Sequence, residues 1–243
     1  MCEHTISAGA TSLDNVPEGC LPVKCSGGSW GRGRRLLFRV TSIGEQTLAS
    51  FLEALAAKTP APGGGASACV AGAIAAAQAE MVVAYSVGKK DLAAHRPRLE
   101  SAHGSLSRAR ALLVRLADED AAAYSLVNDL QRLPADDARR TAELPEALAA
   151  SIQIPLAAMA ACVDVLRLME SLAPITNRHL HSDLQIAAIL AEASVRSSQR
   201  NVLVNAPSVE EAARVRAVRD AATLAASAAQ FSAATRLACE SKA

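Results

Sequence analysis

Apolar residues recur at helical spacing along almost the whole chain from Glu45 onward, which is the pattern of amphipathic helices. Proline and glycine interrupt this pattern at a few places, and helix boundaries are expected there. No run of alternating β-branched residues predicts a strand. The pattern predicts helices near residues 45–57, 66–87, 91–131, 138–152, 156–173, 182–203 and 208–240.

For two long helical segments, the sequence does not decide whether each forms one helix or two. The third predicted helix is long enough to break within its length. Pro155 either kinks one continuous helix or starts a new one, because proline suits a first turn but not a helix interior.

The apolar residues are mostly small. Hydrophobic residues make up 51% of the chain and aromatic residues only 2%, so Ala, Leu and Val must form the core. The last helix carries a narrow stripe suited to close helix contacts. The stripe consists of Val215, Val218, Ala222, Ala225 and Ala229. We predict an all-α fold, an Ala-rich antiparallel bundle of about six to eight helices, whose alanine stripes also suit a helical dimer interface.

Residues 1–44 differ from the rest of the chain. They are rich in Gly, Ser and Cys, include Trp30 and show no helical period. Such a segment is either a targeting or binding arm or a disordered tail. We predict a disordered N-terminal extension over 1–44 and one helical domain over 45–243.

Charge and composition narrow the expected partners and location. Lys plus Arg total 25 against 24 for Asp plus Glu, and without a long basic run no nucleic-acid surface is predicted. No charge-free apolar run reaches the roughly 18 residues of a membrane span, so no membrane contact is expected. Because Glu3, Asp14 and Glu18 interrupt the N-terminus, no secretory signal is predicted and a cytoplasmic location is expected.

Three of the six cysteines, Cys69, Cys162 and Cys239, fall in predicted helices, and no C-x-x-C pair occurs. A buried thiol behaves as a small apolar side chain. We therefore interpret these three as core residues rather than as metal ligands or disulfide partners.

One carboxylate, that of Asp120, lies on an apolar helix stripe. The stripe consists of Leu113, Leu116, Asp120, Tyr124 and Val127. Such surroundings partly desolvate a carboxylate and raise its pKa toward the range that a general acid or base needs. The structural alternative is a surface acid, or a buried acid paired with an arginine. Asp118 points to another face of the same helix.

Gly88, Lys89 and Lys90 close one predicted helix and precede the next. Lysines near a helix C-terminus interact favourably with the helix dipole, so a plain C-cap explains them. The functional alternative is a pair of ammonium groups that bind ligand carboxylates.

The segment 177–185 combines a predicted cap with free polar residues. Ser182 and Gln185 match a capping box and predict a helix start, with Asp183 in the first turn. The two histidines of this segment then remain in a loop. Two histidines without a third ligand are weak evidence for a metal, and no metal site is predicted.

Asp183 and Asn201 fall on the same predicted helix, 18 residues apart. Five full turns separate them, so they share a face but lie about 27 Å apart. One small ligand cannot touch both within one subunit unless the helix breaks. An elongated ligand or a site shared between subunits would remove the difficulty.

The stretch KTPAPGGGAS, residues 58–67, joins two alanine-rich segments. By composition alone it is a flexible joint. It ends at the predicted start of a helix, however, where free amides beside glycines admit an anion or a carbonyl. Because the prolines restrict the backbone, we predict a fairly rigid ligand-binding wall.

Six segments occur in the order and spacing of one family. They are FLEALAAKTPAPGGGAS, VGKKD, LADEDAAAY, PLAAMA, NRHLHSDLQIAA and NVLVN. The chain resembles the cyclodeaminase/cyclohydrolase family, which includes the C-terminal domain of formimidoyltransferase-cyclodeaminase and the methenyltetrahydrofolate cyclohydrolases. The resemblance implies an all-α homodimer that acts on a tetrahydrofolate (poly)glutamate, with no cofactor beyond this substrate.

The resemblance also implies two reactions and a set of residues. Cyclodeaminases close 5-formimidoyltetrahydrofolate to 5,10-methenyltetrahydrofolate and release ammonia, and cyclohydrolases convert the methenyl compound to 10-formyltetrahydrofolate. The implied catalytic acid is Asp120, and Lys89 and Lys90 are expected to attract glutamate carboxylates. The implied substrate-binding residues are Pro62, Gly63, Gly64, Gly65, Gly88, Lys89, Lys90, Asp118, Asn177, Ser182, Asp183, Asn201 and Asn205.

Three positions depart from the family's pattern. Thr176 stands where glycine is frequent, Leu92 stands where an aromatic residue is frequent, and Ala66 separates the glycine run from Ser67. These differences leave Asp120 untouched. The alternative to an enzyme is a non-catalytic helical dimer that retains the fold.

Overall fold

The computed structural model describes residues 42–240 of the protein. The predicted extension over 1–44 lies almost entirely outside this range and stays a prediction. The described chain forms α-helices joined by short turns, several of them 3-10 helical, and contains no strand. The α-helices are α1 (Leu48–Ala56), α2 (Gly64–Val87), α3 (Arg96–Gln131), α4 (Ala138–Leu172), α5 (His181–Asn205) and α6 (Glu211–Glu240). The predicted all-α class is confirmed.

Helix α4 is continuous, which decides between the two possibilities left open at Pro155. Pro145 and Pro155 both lie inside it, and Pro155 is buried. A proline removes one backbone hydrogen bond, but the apolar residues on both sides of Pro155, among them Ile152 and Met159, are buried in the same core. Packing of both halves therefore holds the helix together. The third predicted helix is divided, because a 3-10 turn (Lys90–His95) precedes α3.

Helix α2 occupies the centre of the bundle, between α3 and α5, while α4 and α6 complete the core. Ser194 Oγ donates a hydrogen bond to the Ala68 carbonyl at 2.7 Å, and Gln78 Nε2 donates to Asp183 Oδ1 at 2.7 Å. Because contacts move toward the start of α5 as they move toward the end of α2, these two helices are antiparallel.

Helices α2, α4 and α5 approach closely at Gly72. A Cβ at this position would lie 2.6 Å from Cys162 Sγ and 2.8 Å from Ser194 Oγ. The predicted burial of Cys69, Cys162 and Cys239 is confirmed, and all three are free thiols. Burial raises the pKa of the Cys162 thiol to about 11, which fits an inert core residue.

Helix α6 buries a different stripe from the predicted one. Ala217, Ala221 and Ala228 are buried, whereas Val215 and Val218 are exposed. Alanine occurs on both faces of this helix, so the sequence pattern alone selected the wrong face.

Two helical segments of the described chain, Gly64–Val87 and Ala138–Ile175, are long and apolar enough to span a membrane by length and composition. The search for a charge-free run missed them because single charged residues such as Glu80 interrupt them. About half of each apolar window, 56% and 44%, is buried within the bundle. Core helices have the same composition, so this finding is weak evidence for a membrane.

Candidate active site

The carboxylate of Asp120 lies against the first turn of α2. The backbone N–H of Ala66 donates a hydrogen bond to it. A Cβ added to Gly65 would come within 2.0 Å of Asp120 Oδ1, a distance that no real Cβ tolerates. Only glycine therefore leaves room for the carboxylate at this position.

Two opposing effects act on the pKa of Asp120. Burial raises the pKa because the charged form loses water, and the hydrogen bond from Ala66 lowers it. Burial is the larger effect, so the carboxyl holds its proton to a higher pH than an ordinary aspartate. The predicted stripe is confirmed at Leu113 and Leu116, which are buried, but Tyr124 is exposed. Asp120 thus lies where the buried stripe meets solvent.

The glycine run is part of α2 rather than a wall in front of it. The N-cap is Gly63 and the helix begins at Gly64, earlier than the predicted start at residue 66. Pro62 precedes the N-cap and follows a cis peptide bond. Because Gly63 offers no side-chain cap, amides of the first turn remain for other acceptors.

Asn201 of α5 faces the same turn from the side opposite to α3. Its Oδ1 would lie 3.6 Å from a Cβ on Gly64, an ordinary contact, and its Nδ2 is buried without a hydrogen-bond partner among residues 42–240. A groove of about 430 Å³ runs from here between α2 and α5, and we name it the α2–α5 groove. Its lining includes Gly64, Ser67, Ala71, Ser197, Arg200 and Asn201.

Asp118 and Asn205 have partners within the chain. Asp118 accepts hydrogen bonds from Ser42 Oγ at 2.6 Å and from the Ile43 N–H at 2.7 Å, so it ties the turn before α1 to α3. Asn205 Nδ2 donates to the Ser151 carbonyl at 2.9 Å. These contacts give both residues structural roles, and their contact with a substrate stays a prediction.

The other end of α2 carries a second set of predicted residues. Gly88 is the C-cap of α2, as a plain cap requires. Lys89 Nζ donates a hydrogen bond to Asn177 Oδ1 at 3.0 Å, and the Asn177 N–H donates to the buried Ser86 Oγ at 2.9 Å. Capping therefore explains Gly88 but not Lys89, whose side chain is directed to Asn177. Lys90 is exposed.

The predicted capping box at Ser182 and Gln185 is wrong. Helix α5 begins at His181 without a side-chain cap, because the 3-10 turn Arg178–Leu180 runs directly into it. Ser182 lies in the first turn, and Gln185 Nε2 donates to the Arg236 carbonyl at 3.2 Å instead. No group of three or more His, Cys, Asp or Glu side chains in the described part of the chain is arranged to hold a metal ion.

The predicted site residues form two groups at opposite ends of α2. We name them the first-turn group, formed by Gly64, Gly65, Asp120 and Asn201, and the far-end group, formed by Gly88, Lys89 and Asn177. Asp183 lies between the two groups, beside Gln78. Gly65 and Lys89 are 24 residues apart, or about 36 Å along a helix. Within one chain, a small ligand contacts only one of the two groups.

Comparison with known proteins decides the family. The model of the formiminotransferase-cyclodeaminase family matches residues 47–224. The chain belongs to this family.

Three relatives illustrate how the family is distributed over chains of different length. The chain is 33% identical to methenyltetrahydrofolate cyclohydrolase of Methylorubrum extorquens, over 70% of this chain and 84% of that protein. It is 29% identical to formimidoyltransferase-cyclodeaminase of Sus scrofa, over 70% of this chain and 32% of that protein, and so spans about a third of its length. The crystal structure of formiminotetrahydrofolate cyclodeaminase from Thermotoga maritima matches with a TM-score of 0.75 at 27% identity, over 82% of this chain and 98% of that one.

Both groups of predicted residues lie inside the range matched by the formiminotransferase-cyclodeaminase family. The family match therefore covers every residue of the two groups. The role of each residue in catalysis or binding stays a prediction.

Sequence reasoning missed two residues that lie next to predicted site residues. Gln78 holds Asp183, but the two residues are 105 positions apart, so no local pattern indicates the contact. Arg200 lines the α2–α5 groove, and the only signal in the sequence is its position directly before Asn201.

Proposed function

We propose that the protein is a folate one-carbon enzyme that acts as a formimidoyltetrahydrofolate cyclodeaminase or as a methenyltetrahydrofolate cyclohydrolase. The observation that carries this proposal is the position of Asp120, a carboxyl with a raised pKa at the first turn of α2, in a chain whose relatives bear both names. Both reactions pass through a tetrahedral carbon bonded to N5 and N10, and both need a proton at a departing nitrogen.

In the cyclodeaminase reaction, N10 attacks the formimidoyl carbon on N5, and the C=N bond of that group becomes a C–NH2 bond as the N10 proton moves to its nitrogen. Protonated Asp120 donates its proton to this amino group. The carbon–nitrogen bond then breaks, ammonia leaves, and the carbon remains bonded to N5 and N10 as the methenyl bridge. Asp120 is left as a carboxylate, which the Ala66 N–H stabilises.

In the cyclohydrolase reaction, water adds to the methenyl carbon and Asp120 accepts a proton from it. The same group then returns that proton to N5 as the bond between N5 and the carbon breaks. The remaining hydroxyl proton leaves to solvent as the C=O bond forms, which leaves the formyl group on N10. The chain needs no cofactor beyond the folate for either route.

The two groups of residues suggest how a second copy of the chain completes the site. Ile74 lies near the middle of α2 with 49% of its surface exposed, and Ile186 and Ile189 on the neighbouring part of α5 are 49% and 50% exposed. Solvent contact of three large aliphatic side chains on one face is unfavourable. We propose that this face is the dimer interface.

A two-fold axis through this face would run close to Ile74, perpendicular to α2. It would bring the first-turn group of one subunit next to the far-end group of its partner, because the two copies of α2 would run in opposite directions. Each dimer would then hold two complete sites. The partner subunit's Lys89 and Lys90 would offer ammonium groups to the glutamate carboxylates of a folate bound near Asp120.

Two assays on the purified protein test the proposed function. Loss of the near-ultraviolet band of 5,10-methenyltetrahydrofolate measures cyclohydrolase activity, and ammonia release from 5-formimidoyltetrahydrofolate measures cyclodeaminase activity. We expect turnover in at least one assay, and the assay that responds identifies the reaction. Binding of folate without turnover in either assay would instead favour the non-catalytic helical dimer.

A further inference from the structure

Arg200 places a positive charge beside the candidate active site. It lines the α2–α5 groove next to Asn201, and its guanidinium makes no hydrogen bond or ion pair with any of residues 42–240. Arg196, one turn earlier on α5, differs in this respect because it forms an ion pair with Glu192 at 2.7 Å. Within the described chain, the positive charge of Arg200 is therefore free for a ligand.

Hydrogen-bond donors without partners lie beside Arg200. Asn201 Nδ2 is buried and lacks an acceptor among the described residues, and a buried donor without a partner is unfavourable unless a ligand supplies one. The first-turn amides of α2 are also without acceptors inside the helix. Donors and one cation at the same end of a groove fit a ligand group that carries negative charge and accepts hydrogen bonds.

The two sides of the first turn of α2 offer opposite chemistry. Asp120 lies on the α3 side, against Gly65, and the proposed function assigns it the proton transfer at the reacting atoms. Arg200 and Asn201 lie on the α5 side, in the α2–α5 groove. A folate has the same polarity, since its reacting atoms lie at the pterin end and its carboxylates at the glutamate end.

We infer that Arg200 binds a carboxylate of the glutamate part of the folate, with Asn201 donating a hydrogen bond beside it. A guanidinium can hold a carboxylate through two parallel hydrogen bonds. The inference rests on the proposed function, and it gives a role to a residue outside the thirteen binding residues implied by the family resemblance. Arg200 then acts on substrate affinity and not on the chemical step.

The test compares two ligands that differ only in the glutamate. 5-Formyltetrahydrofolate carries the glutamate carboxylates, and the methylamide of 5-formyltetrahydropteroate carries no carboxylate, so binding of both to the full chain is measured by titration calorimetry. Arg200→Gln should weaken binding of the folate about 10-fold to 100-fold, the usual contribution of a hydrogen bond to a charged group. Binding of the pteroate methylamide should not change. Arg196→Gln is the matched control and should alter neither affinity.

The outcomes separate this inference from the proposed function. Equal weakening of both ligands by Arg200→Gln, or no weakening of either, would overturn the role of Arg200 even if the wild-type chain binds folate and turns it over. A wild-type chain that binds neither ligand and shows no turnover would overturn the proposed function together with the inference. Because Arg200 is exposed, its replacement should leave the thermal unfolding temperature unchanged, which a melting curve checks.

Discussion

Asp120 is held by a contact that excludes any side chain on Gly65. The carboxylate accepts the Ala66 N–H at the start of α2, where the helix dipole favours a negative charge, yet burial raises its pKa. A proton donor needs this combination, because it must carry a proton before the reaction and tolerate a charge afterwards. The same geometry affects stability as well as catalysis.

We expect Asp120→Asn to retain the fold and folate binding but to slow turnover by about 10²-fold to 10⁴-fold, the usual share of a general acid. The amide can still accept the Ala66 N–H but cannot donate a carboxylic proton. Steady-state assays of kcat and titration of the folate measure the two effects separately. Near-normal kcat would exclude Asp120 as the acid.

The raised pKa of Asp120 also predicts a pH-dependent difference in stability. A raised pKa in the folded state means that this group contributes stability below its ordinary pKa of 3.8, and that this contribution is lost as the pH rises through the folded value. The amide that replaces the carboxyl in Asp120→Asn stays neutral at every pH. We therefore expect Asp120→Asn to melt at a higher temperature than the wild type near pH 7, and this advantage to shrink toward about pH 4. A constant difference at every pH would contradict the assigned direction.

Gly65→Ala should be harmful because its Cβ and Asp120 Oδ1 cannot share the same space. We expect a loss of about 1–3 kcal/mol in the free energy of unfolding, the usual cost of overpacking. The loss should become smaller in an Asp120→Ala background, where the obstructing carboxylate is gone. Gly64→Ala is the control, since its Cβ would meet Asn201 only at 3.6 Å. Denaturant unfolding of the four variants measures these differences, and an equal loss in both backgrounds would disprove the steric explanation.

At the scale of helices, replacement of glycine by alanine should have opposite effects on the stability of the protein in α2 and in α3. Alanine is a better helix former than glycine by about 0.5–1 kcal/mol. At Gly104 the added Cβ meets only Arg108 at 3.5 Å, whereas at Gly72 it would lie within 3 Å of Cys162 and Ser194. Gly104→Ala should therefore stabilise the protein and Gly72→Ala should destabilise it, as chemical denaturation can measure. A stabilising Gly72→Ala would mean that α2, α4 and α5 separate more easily than their close contact implies.

The helices themselves were predictable from periodicity, but their ends and faces depended on distant contacts. The local sequence at Pro155 allows either a boundary or one continuous helix, and packing on both sides keeps α4 continuous. Ser182 and Gln185 read locally as a capping box, yet a 3-10 turn supplies the start of α5. Asp120 was predictable because its own helix carries the apolar stripe. Arg200 was not, because its place in a groove depends on how α5 packs against α2.

For the whole molecule, the separation of Gly65 and Lys89 by 24 positions limits how the active site can be arranged. About 36 Å of helix separates the first-turn group from the far-end group, so either only one group binds the folate or two subunits build each site. Ile74→Glu tests the proposed interface, since a buried charge there should yield monomers by light scattering. Loss of activity together with the dimer would agree with a shared site but would not identify which residues are shared.

A heterodimer with one substitution in each subunit identifies the shared residues. Asp120→Asn and Lys89→Ala chains are co-expressed with different tags, and the dimer that carries both tags is purified and assayed at low substrate concentration. If each site combines Asp120 of one subunit with Lys89 of the other, one site holds both substitutions and the second holds none. Activity should then recover to about half that of the wild-type dimer, as two-fold symmetry requires.

The control heterodimer combines Asp120→Asn with Asn201→Ala, both in the first-turn group, so every site keeps one defect and no recovery is expected. If the Lys89 heterodimer is no more active than its parents, each site lies within a single subunit and the far-end group does not bind the folate held by Asp120.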